Sequence, residues 1–213
     1  MGNEENNIYR VSEIYRTIQG EGFNAGQTCI IIRFQGCNIN CPWCDTPESI
    51  PLWTKKAAGY ETLSLAQIIG IIHDIESHNR VPLLILTGGE PAIQANVGFV
   101  EALQKEGYRV AIESNGTIPI SDRGLDWITI SPKPHSVVKQ IEGDELKLVF
   151  PDNENKPPEY WLANTLFSHY YISPMWASEP DILRQNINEA IEYCAAHPTW
   201  KISLQIHKLI GVR

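Results

Sequence analysis

The sequence has little that would send it to a membrane, a secretory route or a nucleic acid. No apolar stretch approaches the roughly 20 residues that cross a bilayer. The opening MGNEENNIYR has neither a basic start nor an apolar segment, so no secretion signal is expected there. Asn6 breaks the myristoylation pattern that Met-Gly would begin. No run of Lys or Arg exceeds two residues, and the net charge is −8, which argues against a general nucleic-acid surface. Repeats, low-complexity tracts and an interdomain linker are missing too. A single domain over 1–213 is therefore expected, long enough to bury a full core. Its 43% hydrophobic and 20% charged residues suit a soluble globular protein. Cysteine is scarce and odd in number, at five, which suits a reducing cytoplasm.

Three of those five are clustered. Cys37, Cys41 and Cys44 stand in GCNINCPWCDT with the spacing C-x3-C-x2-C. A local disulfide framework would leave one thiol over. A tetrahedral structural zinc site wants four protein ligands. Three ligands make sense where a metal keeps a position open, as in a [4Fe–4S] cluster with one iron free. On spacing alone, iron–sulfur and the zinc or redox readings of Cys41–Cys44 all stay open. Cys29, in the apolar run TCIIIRF, and Cys194, on an expected helix, read as packing residues.

Strand-like and helix-like runs alternate. TCIIIRF (28–34) and PLLILTGGE (82–90) read as strands, as do RVAIESNG, WITISPK, ELKLVF, HYYISPM and KISLQIHK. Residues 64–79 read as a helix with a Ser64/Gln67 capping box and Leu65, Ile68, Ile69, Ile72 and Ile75 on one face. Residues 95–106 read as a second helix with Val97, Val100 and Leu103 inward, and Glu179–Ala196 as a third. The segment 47–64 shows no periodicity and reads as an irregular excursion. Alternating strands and helices imply βα units on a parallel sheet. Thr87, Glu90, Glu113, Lys133 and His207 fall at strand ends, where βα barrels carry their reactive groups. At roughly 30 residues per unit, an incomplete α/β barrel of about six βα units fits the length.

TGGEP (87–91) follows a buried strand, about 45 residues after the cysteines. With C-x3-C-x2-C and the aromatic Trp43 before the third cysteine, it resembles the radical S-adenosylmethionine (SAM) enzymes. EIYRTIQGEG (13–22), IIIRFQGCNINCPWCDT (30–46) and the terminal SLQIHKLIGVR together resemble one branch, the 7-carboxy-7-deazaguanine synthase (QueE) family, over nearly the whole chain.

The resemblance implies a [4Fe–4S] cluster on Cys37, Cys41 and Cys44, with SAM on the open iron. SAM contacts would come from Gly88, Gly89 and Glu90, from Ser131, Pro132 and Lys133, and from Ser173, Pro174 and Met175. An ammonium suits carbonyls and a carboxylate, and glycine lets backbone approach closely. The implied reaction converts 6-carboxy-5,6,7,8-tetrahydropterin to 7-carboxy-7-deazaguanine with loss of ammonia, in 7-deazapurine (queuosine-type) biosynthesis. SAM acts there as a regenerated cofactor, and Mg²⁺ assists. The pterin would meet Ile18, Gln19, Gly20, Glu21, Arg33, Thr87, His207 and Arg213. Amide and carboxylate groups suit the row of donors and acceptors on a pterin edge, and a guanidinium suits a planar anion. Thr46 would hold Mg²⁺, with the substrate carboxylate and waters completing the shell. The family also implies an unidentified one-electron donor, a homodimer by analogy, a cytoplasmic location, and neither nucleic acid nor membrane as partner. Two other readings are another small radical SAM enzyme, such as a glycyl-radical activase with a protein partner, and a non-catalytic zinc-binding module.

Overall fold

A computed structural model describes residues 8–41, 43–50, 59–77, 79–152 and 154–212. Nine strands among these residues form one sheet. They are β1 (Ile8–Ile18), β2 (Thr28–Phe34), β3 (Glu61–Ser64), β4 (Leu83–Gly88), β5 (Arg109–Ser114), β6 (Trp127–Ile130), β7 (Glu142–Phe150), β8 (Leu166–Pro174) and β9 (Trp200–Ile202). Their spatial order is β3-β1-β2-β4-β5-β6-β7-β8-β9. β2 and β4 to β9 pair in parallel, whereas β1 runs antiparallel to both β2 and β3. Seven parallel strands need six crossovers, and the result is the incomplete βα barrel that the chain length suggested. Four crossovers carry an α-helix: α1 (Leu65–Glu76), α2 (Val97–Lys105), α3 (Pro158–Asn164) and α4 (Pro180–Ala196). The others use a short 3-10 turn, Ser121–Arg123, and the loop 131–141. A final helix, α5 (Ile206–Ile210), follows β9.

Strand alternation sorts the sheet into two faces. Ile30, Ile32, Phe34, Leu84, Leu86, Val110, Ile112, Ile130, Leu146, Leu148 and Ile172 belong to the large core, with Ile68 and Ile72 of α1 and Phe99, Val100 and Leu103 of α2. The opposite face lines the barrel interior. There Cys29, Leu83, Ile85 and Ala111 form a small apolar layer, with Ile31 and Trp127 against it. The next inward positions toward the strand ends are polar: Arg33, Thr87, Glu113 and Lys147. An apolar floor beneath polar side chains at the carboxyl ends is the arrangement that holds a site in βα barrels.

The capping box forms: the Gln67 backbone N–H donates to Ser64 Oγ (3.3 Å) and the Ser64 N–H to Gln67 Oε1 (2.8 Å). Asn96 caps α2 by accepting the Phe99 N–H at 3.0 Å. Four expectations need correction. Val97 is 40% exposed, because the cap starts α2 with that residue on the solvent side. KISLQIHK is a strand only to Ile202; the chain then turns into α5, so His207 lies on a helix. The segment 47–64 is not wholly irregular, since Pro47–Ser49 forms a 3-10 turn and Glu61–Ser64 pairs with β1 as an edge strand. Residues 51–58 of that segment lie outside the described residues, as does Arg213. Fourthly, β1 and α3 are regular elements that the sequence pattern did not mark, the first being legible only as a motif.

Candidate active site

The cysteine loop leaves the end of β2. Cys37, Cys41 and Cys44 are free, half-buried thiols. The Gly36 N–H donates to Ser49 O (2.7 Å), and the Cys37 N–H to Ile50 O (3.1 Å), which closes the loop on itself. The Ile39 N–H points at Cys37 Sγ (3.5 Å). Thr46 Oγ1 lies 3.9 Å from Cys44 Sγ. Burial pushes the Cys37 and Cys41 thiols up; the Lys133 ammonium pulls Cys41 back. Three soft sulfur donors on one loop, with an amide N–H at a sulfur and a cation nearby, fit a cluster that takes each thiolate on a different iron. Among the described residues, no three His, Cys, Asp or Glu side chains converge on one point as a single ion would require.

Gly88 and Gly89 hold that loop against β4. The Gly89 N–H donates to Phe34 O (3.0 Å) and the Glu90 N–H to Gly36 O (2.7 Å). A Cβ on Gly88, whose φ is +122°, would sit 2.2 Å from Phe34 O; one on Gly89 would sit 2.2 Å from Gly36 O. The closest backbone these glycines admit is thus the chain's own. Glu90 is fully buried and accepts three bonds, from the Ala92 N–H (2.9 Å), Ser114 Oγ (2.9 Å) and the Asn115 N–H (2.8 Å). Burial raises its pKa, and those donors oppose the rise.

Lys133 Nζ donates to Ser131 Oγ (2.7 Å) and stands 5.4 Å from the Trp43 ring centre. Pro132 O accepts from Asn155 Nδ2 (3.1 Å). Ser173 and Pro174 pair with Val149 and Phe150, and Met175 O accepts from Asn186 Nδ2 (2.8 Å). All of these stand at the strand ends shared with the cysteine loop.

Inside the barrel, Lys147 is buried between two carboxylates. Its Nζ lies 2.6 Å from Glu21 Oε2 and 2.9 Å from Glu113 Oε2. Gln19 Nε2 donates to Glu113 Oε1 (3.0 Å), and Gln205 Nε2 to Glu21 Oε1 (2.8 Å). Burial, the largest single influence, would raise the Glu21 pKa, but the Lys147 charge together with the hydrogen bonds from Lys147 and Gln205 outweighs it and holds the carboxyl at about 2. Burial would likewise lower Lys147; Glu113 and Glu21 instead drive it well above the ordinary lysine value. Arg33 lies across from Thr87 in the β2–β4 register and pairs with Glu13 (3.5 Å) and the Tyr15 hydroxyl (3.2 Å). Ile18 ends β1.

α5 covers this cluster. The Ile206 N–H donates to Gly20 O (2.9 Å). His207 packs so tightly on Gly20 that a Cβ there would meet its Nδ1 at 1.9 Å. Burial lowers the His207 pKa, against the opposing pull of Glu21. Lys208 Nζ donates to Gln205 Oε1 (3.0 Å) and pairs with Asp45 (3.4 Å), beside Cys44 and Thr46. The structure therefore brings Gln19, Gly20, Glu21 and His207 into one cluster, while Arg33 and Thr87 stand opposite one another on β2 and β4. Sequence reasoning missed Lys147, Gln205 and Lys208. The signal for Lys147 was a lysine inside the apolar strand ELKLVF, where alternation turns it away from Leu146 and Leu148.

A partial βα barrel with three thiols on the loop after its first parallel strand defines a class. Residues 31–134 match the Radical SAM superfamily. The chain is 35% identical to the 7-carboxy-7-deazaguanine synthase of Bordetella pertussis, over 96% of this chain and 99% of that one. It is 36% identical to the synthase of the same name from Bradyrhizobium diazoefficiens, with the same coverage. The crystal structure of QueE from Escherichia coli superposes with a TM-score of 0.79 at 25% identity, covering 96% of each chain. The chain belongs to the 7-carboxy-7-deazaguanine synthase family of radical SAM enzymes.

Proposed function

We propose that this protein converts 6-carboxy-5,6,7,8-tetrahydropterin to 7-carboxy-7-deazaguanine with release of ammonia. The observation that carries the reading is the buried Glu21–Lys147–Glu113 cluster, joined to the cysteine loop through Gln205, Lys208 and Asp45. A rigid row of carboxylate and amide groups suits the donor and acceptor edge of a pterin.

In this reading Cys37, Cys41 and Cys44 hold the cluster. The Gly88–Glu90 turn, Ser131–Lys133 and Ser173–Met175 would hold SAM. A bound cluster with SAM would supply the hydrogen-atom abstraction. The chain's own residues do the rest. Gln19, Glu21 and the backbone of Ile18 and Gly20 read the pterin edge. Lys147 keeps Glu21 ionised, so the carboxylate accepts from ring N–H groups without a proton of its own. Arg33 and Thr87 meet the substrate from β2 and β4. His207 covers the cluster from α5, and Arg213 is assigned to the substrate by the family resemblance alone. Thr46 would supply one oxygen to Mg²⁺, with the substrate carboxylate and waters as the other ligands. A one-electron donor, a homodimer, a cytoplasmic setting and a single catalytic domain over 1–213 complete the proposal. No helix among the described residues is long and apolar enough to cross a membrane.

The test is anaerobic reconstitution with iron and sulfide, then incubation with SAM, a reductant and the carboxytetrahydropterin. Formation of the deazaguanine supports the reading. SAM cleavage that needs a protein partner instead would point to an activase, and a colourless zinc protein to the structural module.

A further inference from the structure

We infer that Glu145 is a positioning residue for the substrate loop 20–23 and that it does this work carrying a proton. The inference rests on the pterin reading above for its consequence on substrate.

Glu145 lies on the inward face of β7, two residues before Lys147, and is 2% exposed. Its Oε2 accepts the Phe23 N–H at 2.9 Å. Its Oε1 is buried without a hydrogen-bond partner among the described residues. The carboxyl fits only because residue 22 is glycine: a Cβ there would sit 2.0 Å from Oε1, and the backbone φ is +66°. The Gly22 N–H donates to Ser203 Oγ (2.9 Å), and the Phe23 ring stacks on Trp127 and His169, each at 4.7 Å between centres. The loop that presents Glu21 to Lys147 is thus fastened from below through Glu145.

The surrounding charges decide the ionisation. Glu113 faces Glu145 from β5, Glu21 from the loop, Lys147 from its own strand, and Tyr171 and His169 from β8. The Lys147 ammonium is already bonded to Glu21 and Glu113, so three carboxylates share one cation. A buried charged oxygen without a partner is far costlier than a neutral one. Burial, with Glu113 and Glu21 adding to it and Lys147 opposing, pushes the Glu145 carboxyl up to about 7. Protonated, Glu145 still accepts the Phe23 N–H through Oε2. Ionised, it places an additional negative charge next to Glu21, which in the pterin reading faces a carboxylate-bearing substrate, and so weakens binding as pH rises.

The experiment compares the parent protein with E145Q, which mimics the protonated side chain in size and neutrality. Two readouts are taken from pH 6.5 to 8.5. One, without substrate, is the infrared band of a protonated buried carboxyl. The other is KM for the carboxytetrahydropterin. The expected result is a band that titrates near pH 7 in the parent and is missing in E145Q. KM should rise several-fold across the range in the parent and stay nearly flat in E145Q relative to it. An unchanged band in E145Q, or the same KM profile in both proteins, would overturn the inference. If the parent makes no deazaguanine at any pH, the functional reading fails, while the infrared titration still decides whether Glu145 holds the proton. E145L, which cannot accept the Phe23 N–H, is the check on positioning: its Phe23 amide should exchange hydrogen faster than in E145Q, and equal protection would count against the loop-fastening role.

Discussion

Lys147 Nζ and Glu21 Oε2 lie 2.6 Å apart in the barrel interior, and Glu21 reaches that position from the loop between β1 and β2. The pair ties a sequence-remote loop to the seventh strand. Lys147→Met leaves Glu21 and Glu113 uncompensated. Breaking a buried pair from one side typically costs about 3–5 kcal/mol. Thermal or denaturant unfolding should show a loss of that order, and Lys147→Arg should recover part of it.

The same pair sets an acid limit. The Glu21 pKa falls from 4.5 unfolded to about 2 folded, so the folded state binds fewer protons between these values. Its contribution is fully present above about pH 4.5 and is lost as pH falls toward 2, on the order of 3 kcal/mol at most. Glu21→Gln should be less stable at pH 7 and show a shallower acid limb in stability against pH. An unchanged limb would detach Glu21 from Lys147.

Cys37→Ala, Cys41→Ala and Cys44→Ala should each abolish turnover and lower iron content. Cys29→Ala and Cys194→Ala should keep both, because Cys29 sits in the apolar floor and Cys194 packs on the core from α4. Iron and sulfide analysis separates the two groups.

Gly89→Ala forces a Cβ against Gly36 O, a backbone atom that cannot swing aside. A destabilisation of at least ~2 kcal/mol is expected, with loss of cluster, since the collision displaces the cysteine loop. Unfolding midpoints and iron content, measured together, check this; parent-like values would mean that the loop has more room than the geometry gives it.

Thr46 offers one neutral oxygen, too little to hold Mg²⁺ by itself. Magnesium and substrate should therefore raise one another's affinity by the same factor. Substrate titrations with and without Mg²⁺ should show this coupling in the parent protein and much less of it in Thr46→Ala.

The parallel sheet was legible because apolar strands such as LLIL and helices with capping signals carry their periods locally. The cysteine loop and TGGEP were legible because their residue types are restricted by chemistry and by close backbone approach. The rest depended on tertiary pairing. In KISLQIHK, alternation continues past Ile202, and only the bond from the Ser203 N–H to Ile172 O and the packing of His207 on Gly20 end the strand and start α5. ETLS is too short to show a period and is a strand only because β1 lies beside it. Lys147 and Glu145 alternate correctly for an inward face, yet nothing in ELKLVF says that their partners are Glu21 and Phe23, more than a hundred residues earlier.

The most direct test of the proposed reaction is the ratio of product to SAM consumed in the reconstituted protein. SAM that is regenerated each cycle should support many turnovers, with deazaguanine and ammonia appearing together and in large excess over SAM lost. Absence of deazaguanine, or consumption of one SAM per product, would contradict it.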